Sequence, residues 1–491
     1  MRVVLVNPPD ELDQVLGVGT EFIQKYEPLG ILFIAAVLIE AGHDVVVIDA
    51  HAENLKAADI LERIEALIDQ AGSHFTVVGF STLTCNGAQV FDMGQQIKNR
   101  YPDVKVILGN IHASVFAKYY LLSGCCDVVV HGEGEYVVAS LVERFADNQE
   151  YDDISGISLL TKDGEVKRNL PDGYIQDLGE LPFPARDLVD QSLYGLSAIS
   201  NQPFIPGKRQ HVKTIVTSRG CPYRCAFCVV HANRKPRYDP PKKVVDELEL
   251  LEKQYNATYA YIEDSLFLAD RQRIFDICDL YHERGLTIRW GAQAHVRHVD
   301  AELINAIKSA GCFDLSLGLE SGSQRILDSI HKGFKIEQAI KAVKTIKDNS
   351  DISVSGLFIL GLPGETHQDI MATIKFACSL PIDFAQFSIF TPYPGSPLFD
   401  KLAANGELDT GIRPNGRVDT SVWTRYAQYI MFKDVDPIWT PEGMTPSQLR
   451  SYQKRAMRSF YLRPRQILRQ VKRLRYDNFW KALRIIRRGF Y

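Results

Sequence analysis

The chain has 491 residues, 45% hydrophobic and 24% charged, with a net charge of −4. That length exceeds one ordinary core, so two or three domains are expected, and the composition is that of a soluble globular protein. The most apolar stretch, Leu29 to Ile39, is too short to span a bilayer, and Met1 to Pro9 reads as a strand closed by prolines rather than a signal peptide.

Over residues 1–150, short apolar runs alternate with helix-length segments. Val3–Val6, Asp44–Ile48, Thr76–Phe80, Lys105–Leu108 and Asp127–Val130 are expected as strands, with helices between and after them. Five strands so interleaved predict a doubly wound parallel sheet. Ligands of such sheets lie beyond the carboxyl ends of the strands. Those ends carry Asn7, Ser81, Thr82, Asn110, His112 and the run Gly132-Glu133-Gly134, which are the candidate contacts. No G-x-G-x-x-G follows the first strand, which disfavours a dinucleotide. Gly132-Glu133-Gly134 instead offers a phosphate or amide tail the start of the last helix. For His112, capping its own loop weighs evenly against ligand contact.

Residues 151–208 open with a hairpin turning at Asp163-Gly164 and continue without periodicity, as a linker that packs between domains. From 209 to about 430 the alternation resumes. Tyr259–Glu263, Thr287–Ala292, Asp314–Leu319, Ser353–Leu360 and Phe384–Phe390 read as strands, and a further strand precedes Cys221. Six βα units predict a partial barrel with its chemistry at the strands' carboxyl ends.

Cys221, Cys225 and Cys228 follow the first of these strands, spaced C-x3-C-x2-C. Three thiols on one short loop suit an iron–sulfur cluster or a soft metal. A four-iron cluster held by three cysteines keeps one iron open. Zinc normally takes four protein ligands at a structural site, and here only His231 stands near enough in sequence to complete the set. The other six cysteines, in apolar contexts, read as reduced and buried residues of a cytoplasmic protein.

In Leu315-Ser-Leu-Gly-Leu-Glu320, period two puts the leucines on one face and Ser316, Gly318 and Glu320 on the other. A carboxylate at a barrel mouth is costly to bury without donors. A ligand's hydroxyls or ammonium would supply them, or a salt bridge to Arg297. Asp264 and Gln293 stand at neighbouring strand ends, and Gly361 to Glu365 forms a turn that brings backbone close to the barrel's contents.

The first segment resembles the cobalamin-binding domain of radical S-adenosylmethionine (SAM) enzymes, through Pro28-Leu-Gly-Ile-Leu-Phe-Ile-Ala-Ala, Leu108-Gly-Asn-Ile-His-Ala-Ser and His131-Gly-Glu-Gly-Glu. The second resembles the radical SAM fold, through the cysteine motif with Phe227 before its last cysteine, Leu317-Gly-Leu-Glu-Ser-Gly, Gly361-Leu-Pro-Gly-Glu-Thr and Thr391-Pro-Tyr-Pro-Gly-Ser-Pro-Leu. The resemblance covers residues 1–400. It implies an α/β chain with four parts: a Rossmann-like cobalamin domain (1–150), a linker with a hairpin (151–208), a partial (β/α)6 TIM-like radical SAM core (209–430) and a helical extension (431–491).

It further implies that Cys221, Cys225 and Cys228 hold a [4Fe-4S] cluster whose open iron chelates SAM. Phe227 would line the adenine, Glu320 would bind the ribose or methionine end, and Asp264 and Gln293 are further SAM contacts. One electron then cleaves SAM to a 5′-deoxyadenosyl radical, and cobalamin delivers a methyl group or relays electrons. The D-x-H-x-x-G loop of other cobalamin proteins is absent. The base is therefore implied to be displaced, and the lower cobalt ligand is left between His112 and water.

From Arg450 onward, fourteen Lys and Arg face Asp477 alone. This basic amphipathic stretch suggests an anionic membrane surface or packing on the core, and no recognition module supports nucleic acid. Trp423, Tyr426, Tyr429, Phe432 and Trp439 suggest packing or contact with an apolar substrate. The leading expectation is C-methylation of a small molecule, with flavodoxin or ferredoxin as electron donor. Oxidative cyclisation resembling the anaerobic magnesium-protoporphyrin ester cyclase and a non-catalytic cobalamin sensor are the alternatives. Methylthiolation is disfavoured because no second cysteine trio precedes Cys221. The expected location is cytoplasmic, with the basic tail offering contact at the membrane's inner face.

Overall fold

The computed structural model describes residues 1–9, 25–194, 211–232, 235–426 and 436–473. Strands β1 (Arg2–Asn7), β2 (Asp44–Asp49), β3 (Thr76–Ser81), β4 (Lys105–Gly109) and β5 (Val128–Val130) pair in parallel in the order β2-β1-β3-β4-β5. Val3, Val4, Val6, Val77 and Val78 are fully buried, because helices cover both faces of the sheet. Helices Leu29–Glu40 and Glu135–Ala146 pack on one face; Ala57–Ala71 and Gly87–Arg100 pack on the other. The hairpin turns where the sequence places it, but it is not free-standing: β6 (Ile157–Leu160) pairs antiparallel with β5, and β7 (Val166–Arg168) with β6. Residues 157–168 thus form the far edge of the first sheet.

Strand β8 (Val212–Ile215) opens the second sheet. It ends at Ile215, beyond which Thr217 and Ser218 turn their donors toward Asp264. A two-stranded antiparallel ladder follows, β9 (Ser218–Arg219) with β10 (Arg237–Tyr238), and the cysteine loop lies between them. Strands β11 (Tyr259–Ile262), β12 (Arg289–Ala294), β13 (Cys312–Glu320), β14 (Ser353–Leu360) and β15 (Phe384–Ile389) complete six parallel strands in the order β8-β11-β12-β13-β14-β15. Leu315, Leu317 and Leu319 are fully buried in the cluster shared with the outer helices. Ser316 and Gly318 alternate with them, as the period requires.

The chain then returns to the first domain. Trp423 is fully buried, donates Nε1–H to Thr410 O at 3.0 Å and stacks on Tyr120 with centroids 5.6 Å apart. Tyr426 and Trp439 are buried too, so these aromatics are occupied by packing; Tyr429 and Phe432 lie outside the described residues. Helix Pro446–Tyr461 covers the open edge of β15. There Gln453 Nε2 donates to Phe387 O at 2.8 Å, and the Tyr461 hydroxyl donates to Ala385 O at 2.9 Å. Side chains thereby take up edge groups that a foreign strand would pair with. In the next helix, Pro464–Arg473, Gln466 Nε2 donates to Ile382 O at 2.9 Å, so the basic stretch begins by packing on the barrel. The rest of the basic stretch, from residue 474, lies outside the described residues. No described helix is long and apolar enough to cross a membrane.

Candidate functional site

A cavity of about 530 Å³ opens at the carboxyl ends of β1, β3, β4 and β5. It runs down between the sheet, at Leu5, Val77, Gly79 and Ile107, and helix Leu29–Glu40, at Gly30 and Ile34. Its mouth is polar, with Asn7, Ser81, Asn110, Gly132, Glu133 and Gly134, and Val216 and Arg219 of the second unit close it. Asn110 has φ +76°, a conformation uncommon outside glycine, and its Nδ2 donates to Ser81 Oγ at 3.1 Å. Asn7 Nδ2 donates to Asp49 Oδ1 at 2.8 Å.

Two of the eight expected contacts are not among the cavity's lining residues. Thr82 is fully buried, and its amide donates to Gly109 O. His112 is fully buried in a box of Phe116, Tyr120 and Trp423, the last with ring centroids 4.4 Å away. A Cβ on Gly87 would meet its Nε2 at 2.6 Å, so only glycine fits there. Burial holds the His112 pKa down at about 3.

The cysteine loop is anchored at its stem and in its middle. At its stem, Asp264 accepts from Thr217 N (2.6 Å), Thr217 Oγ1 (2.6 Å), Ser218 N (3.0 Å) and Ser218 Oγ (2.7 Å). Arg273 Nη2 donates to Thr217 O at 2.9 Å. Mid-loop, Ala226 N donates to Ile330 O at 2.9 Å and Ala226 O accepts from Leu398 N at 3.0 Å. Tyr223 stacks on His295 at 4.0 Å between centroids and bonds to His298 through its hydroxyl at 3.0 Å.

Burial pushes the Cys225 thiol up to about 11 and raises that of Cys228, so thiolates here call for a bound cation. Among the described residues no three His, Cys, Asp or Glu side chains are grouped so as to hold a metal ion. The side chain of His231 lies outside the described residues.

Glu320 ends β13 with φ +57° at a register shift against β14. Its partner is Lys332 (Nζ to Oε1 2.7 Å) and not Arg297. Both are buried, and a Cβ on Gly318 would meet Glu320 Oε1 at 2.5 Å and Lys332 Nζ at 2.8 Å, so the pair lies across that glycine. Burial works against the Lys332 charge, but Glu320 with Cys225 and Cys228 together outweigh it and raise its pKa. Gln293 is in register with Ser316, and Ser316 with Ser355. Glu365 folds back onto its own turn, accepting from Leu362 N at 3.0 Å, and burial pushes its pKa up to about 7.

Three arginines and one lysine escape the sequence reading. Arg273 and Lys332 are described above. Arg219 and Arg237, cross-strand partners on β9 and β10, reach into the first domain. Arg237 grips Glu133 through both oxygens, at 2.6 and 2.9 Å, and Arg219 takes Glu135. Glu133 therefore lines the cavity while tying it to the stem of the cysteine loop. Only the positive charge flanking C-x3-C-x2-C hinted at this.

Burial keeps His112, His131 and His295 neutral, at about 3, 4 and 3. Each is depressed below its unfolded value, so its contribution is present above about pH 6.5 and is lost as pH falls toward the folded value. Each should remove roughly 1.4 kcal/mol per pH unit in that window. Urea midpoints measured at pH 7 and 5 should fall accordingly, and a flat profile would contradict the buried neutral assignment.

The comparisons follow this division. The Radical SAM superfamily profile matches residues 215–377, and the B12 binding domain profile matches residues 15–142. An uncharacterised methyltransferase of Pyrococcus horikoshii is 31% identical over 494 residues, covering 100% of this chain and 99% of its own. The anaerobic magnesium-protoporphyrin IX monomethyl ester cyclase of Rubrivivax gelatinosus is 29% identical, covering 83% of this chain and 71% of its own. The fold matches that of TsrM of Kitasatospora setae, a radical SAM methyltransferase solved with cobalamin and a [4Fe-4S] cluster (TM-score 0.67, 18% identity, 94% of this chain and 88% of that one). With a cavity at the strands' carboxyl ends closed by the stem of a three-cysteine loop, both family profiles matched and a relative 31% identical over the whole chain, the chain belongs to the cobalamin-binding radical SAM enzymes.

Proposed function

We propose that this protein is a cobalamin-dependent radical SAM methyltransferase acting on a carbon of a small molecule. One observation carries the reading: the cavity of the first domain and the cysteine loop of the barrel share a wall, Arg219 lining the one and opening the other. The apolar slot with a polar rim fits a corrinoid with its aromatic base displaced. Leu5, Gly79, Ile107 and Ile34 would hold the base, while Asn7, Ser81, Asn110 and Gly132 to Gly134 would meet the amides and phosphate. The donor set fits iron, since three thiols on one loop leave one position open.

When bound, the cluster supplies the electron that cleaves SAM, and cobalamin the methyl transfer. The chain's own residues position and shield. Phe227, Gln293 and Glu320 would meet SAM at the barrel mouth, with Asp264 acting through the loop stem it binds. With Thr82 and His112 outside the cavity lining, we infer that neither touches cobalamin and that His112 is no ligand to cobalt. The strand face that carries Gln293, Ser316, Ser355, Gln386 and Ser388 also carries Leu357 and Ile359, in register with Gln386 and Ser388, so it offers a substrate polar and apolar contacts side by side. A soluble one-electron donor of the flavodoxin or ferredoxin type completes the reaction. Oxidative ring closure remains the second reading, since three relatives bear a cyclase's name. A sensor without catalysis leaves the cysteine loop unexplained.

Anaerobically reconstituted protein with SAM and reductant should make 5′-deoxyadenosine, and Cys225→Ala should lower its rate more than 100-fold. Feeding deuteromethyl methionine to a deletion strain and its parent then separates the readings. A labelled product in the parent alone supports methylation; an unlabelled product would support cyclisation instead.

A further inference from the structure

A buried ammonium stands beside the cysteine loop with no role in the reading above. Lys332 lies in a turn whose neighbours His331 (φ +55°) and Gly333 (φ +77°) are both left-handed. Glycine takes that conformation freely, but at His331 it persists only where the surroundings enforce it. This turn runs along the loop. Ile330 O accepts from Ala226 N at 2.9 Å, Lys332 Nζ stands 5.8 Å from the Phe227 ring centroid, and a Cβ on Gly333 would touch Tyr223 at 3.6 Å. Lys332 O in turn pairs with His295 Nε2 at 3.3 Å, on the ring that Tyr223 stacks against. Glu320, at the end of β13, completes the pair at 2.7 Å. The ion pair is therefore oriented, with its positive end on the segment docked to the loop and its negative end on the barrel strand. Lys332 is 8% exposed and Glu320 6%, so little water screens either charge.

We propose that Lys332 is the counter-charge of the iron-binding loop, stabilising the reduced cluster and so raising its reduction potential. The inference rests on the cluster assignment made above. Reduction adds one electron from the external donor and one negative charge to a site already rich in thiolate. A fixed cation held in a dry setting favours the more negative state. Simple neutralisation of Glu320 would also explain a buried lysine, and the two roles separate by experiment.

The midpoint potential of the reconstituted holoenzyme is read by electron paramagnetic resonance during a dithionite titration. Lys332→Met should give at least a tenfold lower ratio of reduced to oxidised cluster at a fixed potential, which is 59 mV for a one-electron couple. Lys332→Arg should retain the wild-type value. Should Lys332→Met not fold, the double variant Glu320→Gln with Lys332→Met leaves no unpaired buried charge and carries the comparison; its potential should also lie below wild type. Wild-type potential in the double variant would overturn the proposal, because the lysine would then serve Glu320 alone. A wild-type protein that assembles no cluster overturns the iron assignment itself. A loaded wild type with an unshifted Lys332→Met overturns only the role given to the lysine.

Discussion

Asp264→Ala should abolish iron loading while leaving most of the chain folded. The Asp264 carboxylate is 1% exposed and receives four hydrogen bonds from two consecutive residues, Thr217 and Ser218. Burial pushes its pKa up, and the hydroxyls and amides of Thr217 and Ser218 oppose that shift. Hydrogen bonds to a charged group contribute about 1.5–3 kcal/mol each, and a buried amide left without an acceptor costs about 1–3 kcal/mol. Alanine strands two buried amides and two hydroxyls at the point where β8 hands over to the cysteine loop. Arg273, which donates to Thr217 O and Oγ1, would also face the stem without its nearby carboxylate. The damage falls on the position of Cys221, three residues beyond Ser218, more than on the barrel strands.

Iron per chain after reconstitution should fall at least tenfold, with circular dichroism close to wild type. Asp264→Asn keeps the shape but turns an NH2 toward a donor, so it should load iron at an intermediate level. Wild-type iron content in Asp264→Ala would mean that the loop is organised by its own thiols and that the stem contributes nothing.

Sequence alone reached the parts of this molecule that repeat or that are dense in chemistry. Period two separated Leu315, Leu317 and Leu319 from Ser316 and Gly318, because a strand buried against helices on one face must alternate. The βα alternation and the cysteine spacing needed only local patterns. What escaped is made of single residues brought together by topology. Lys332 sits in an aperiodic turn twelve residues past its partner, so nothing adjacent marks it. Strands β9 and β10 are two residues each, too short to show a period, and their arginines find Glu133 and Glu135 only after the domains dock. His112 lies just past the end of β4, in a phrase that looks like a ligand loop. Its burial depends on Trp423, which arrives from the far end of the chain. The hairpin was legible as a hairpin, but which edge it joins is a property of the sheet.

Arg186→Met should destabilise the protein by about 3–5 kcal/mol, the cost of breaking a buried ion pair by removing one partner. Arg186 is 1% exposed and stands in the aperiodic stretch after the hairpin. It pairs with Glu27, donates to Glu247 Oε1 at 2.7 Å and donates to Thr214 O at 2.7 Å. Lys213 pairs with Glu27 from the other side at 3.2 Å. Two acids and two bases are thus buried together without net charge, and removing the guanidinium leaves Glu247 desolvated and without the cation that offsets its burial.

Adding Glu247→Gln to Arg186→Met should recover part of the loss, because the uncompensated carboxylate is then gone. The consequence reaches the cofactor. Glu27 directly precedes Pro28 and Leu29 on the cavity wall, while Lys213 and Thr214 lie on β8, which leads to the cysteines. Hydroxocobalamin affinity should therefore fall in step with the urea midpoint, and the double variant should restore both together. A loss below about 1 kcal/mol, or stability lost with affinity unchanged, would show that the tetrad fills space between the domains without holding the cavity's rim to the strand that feeds the iron loop.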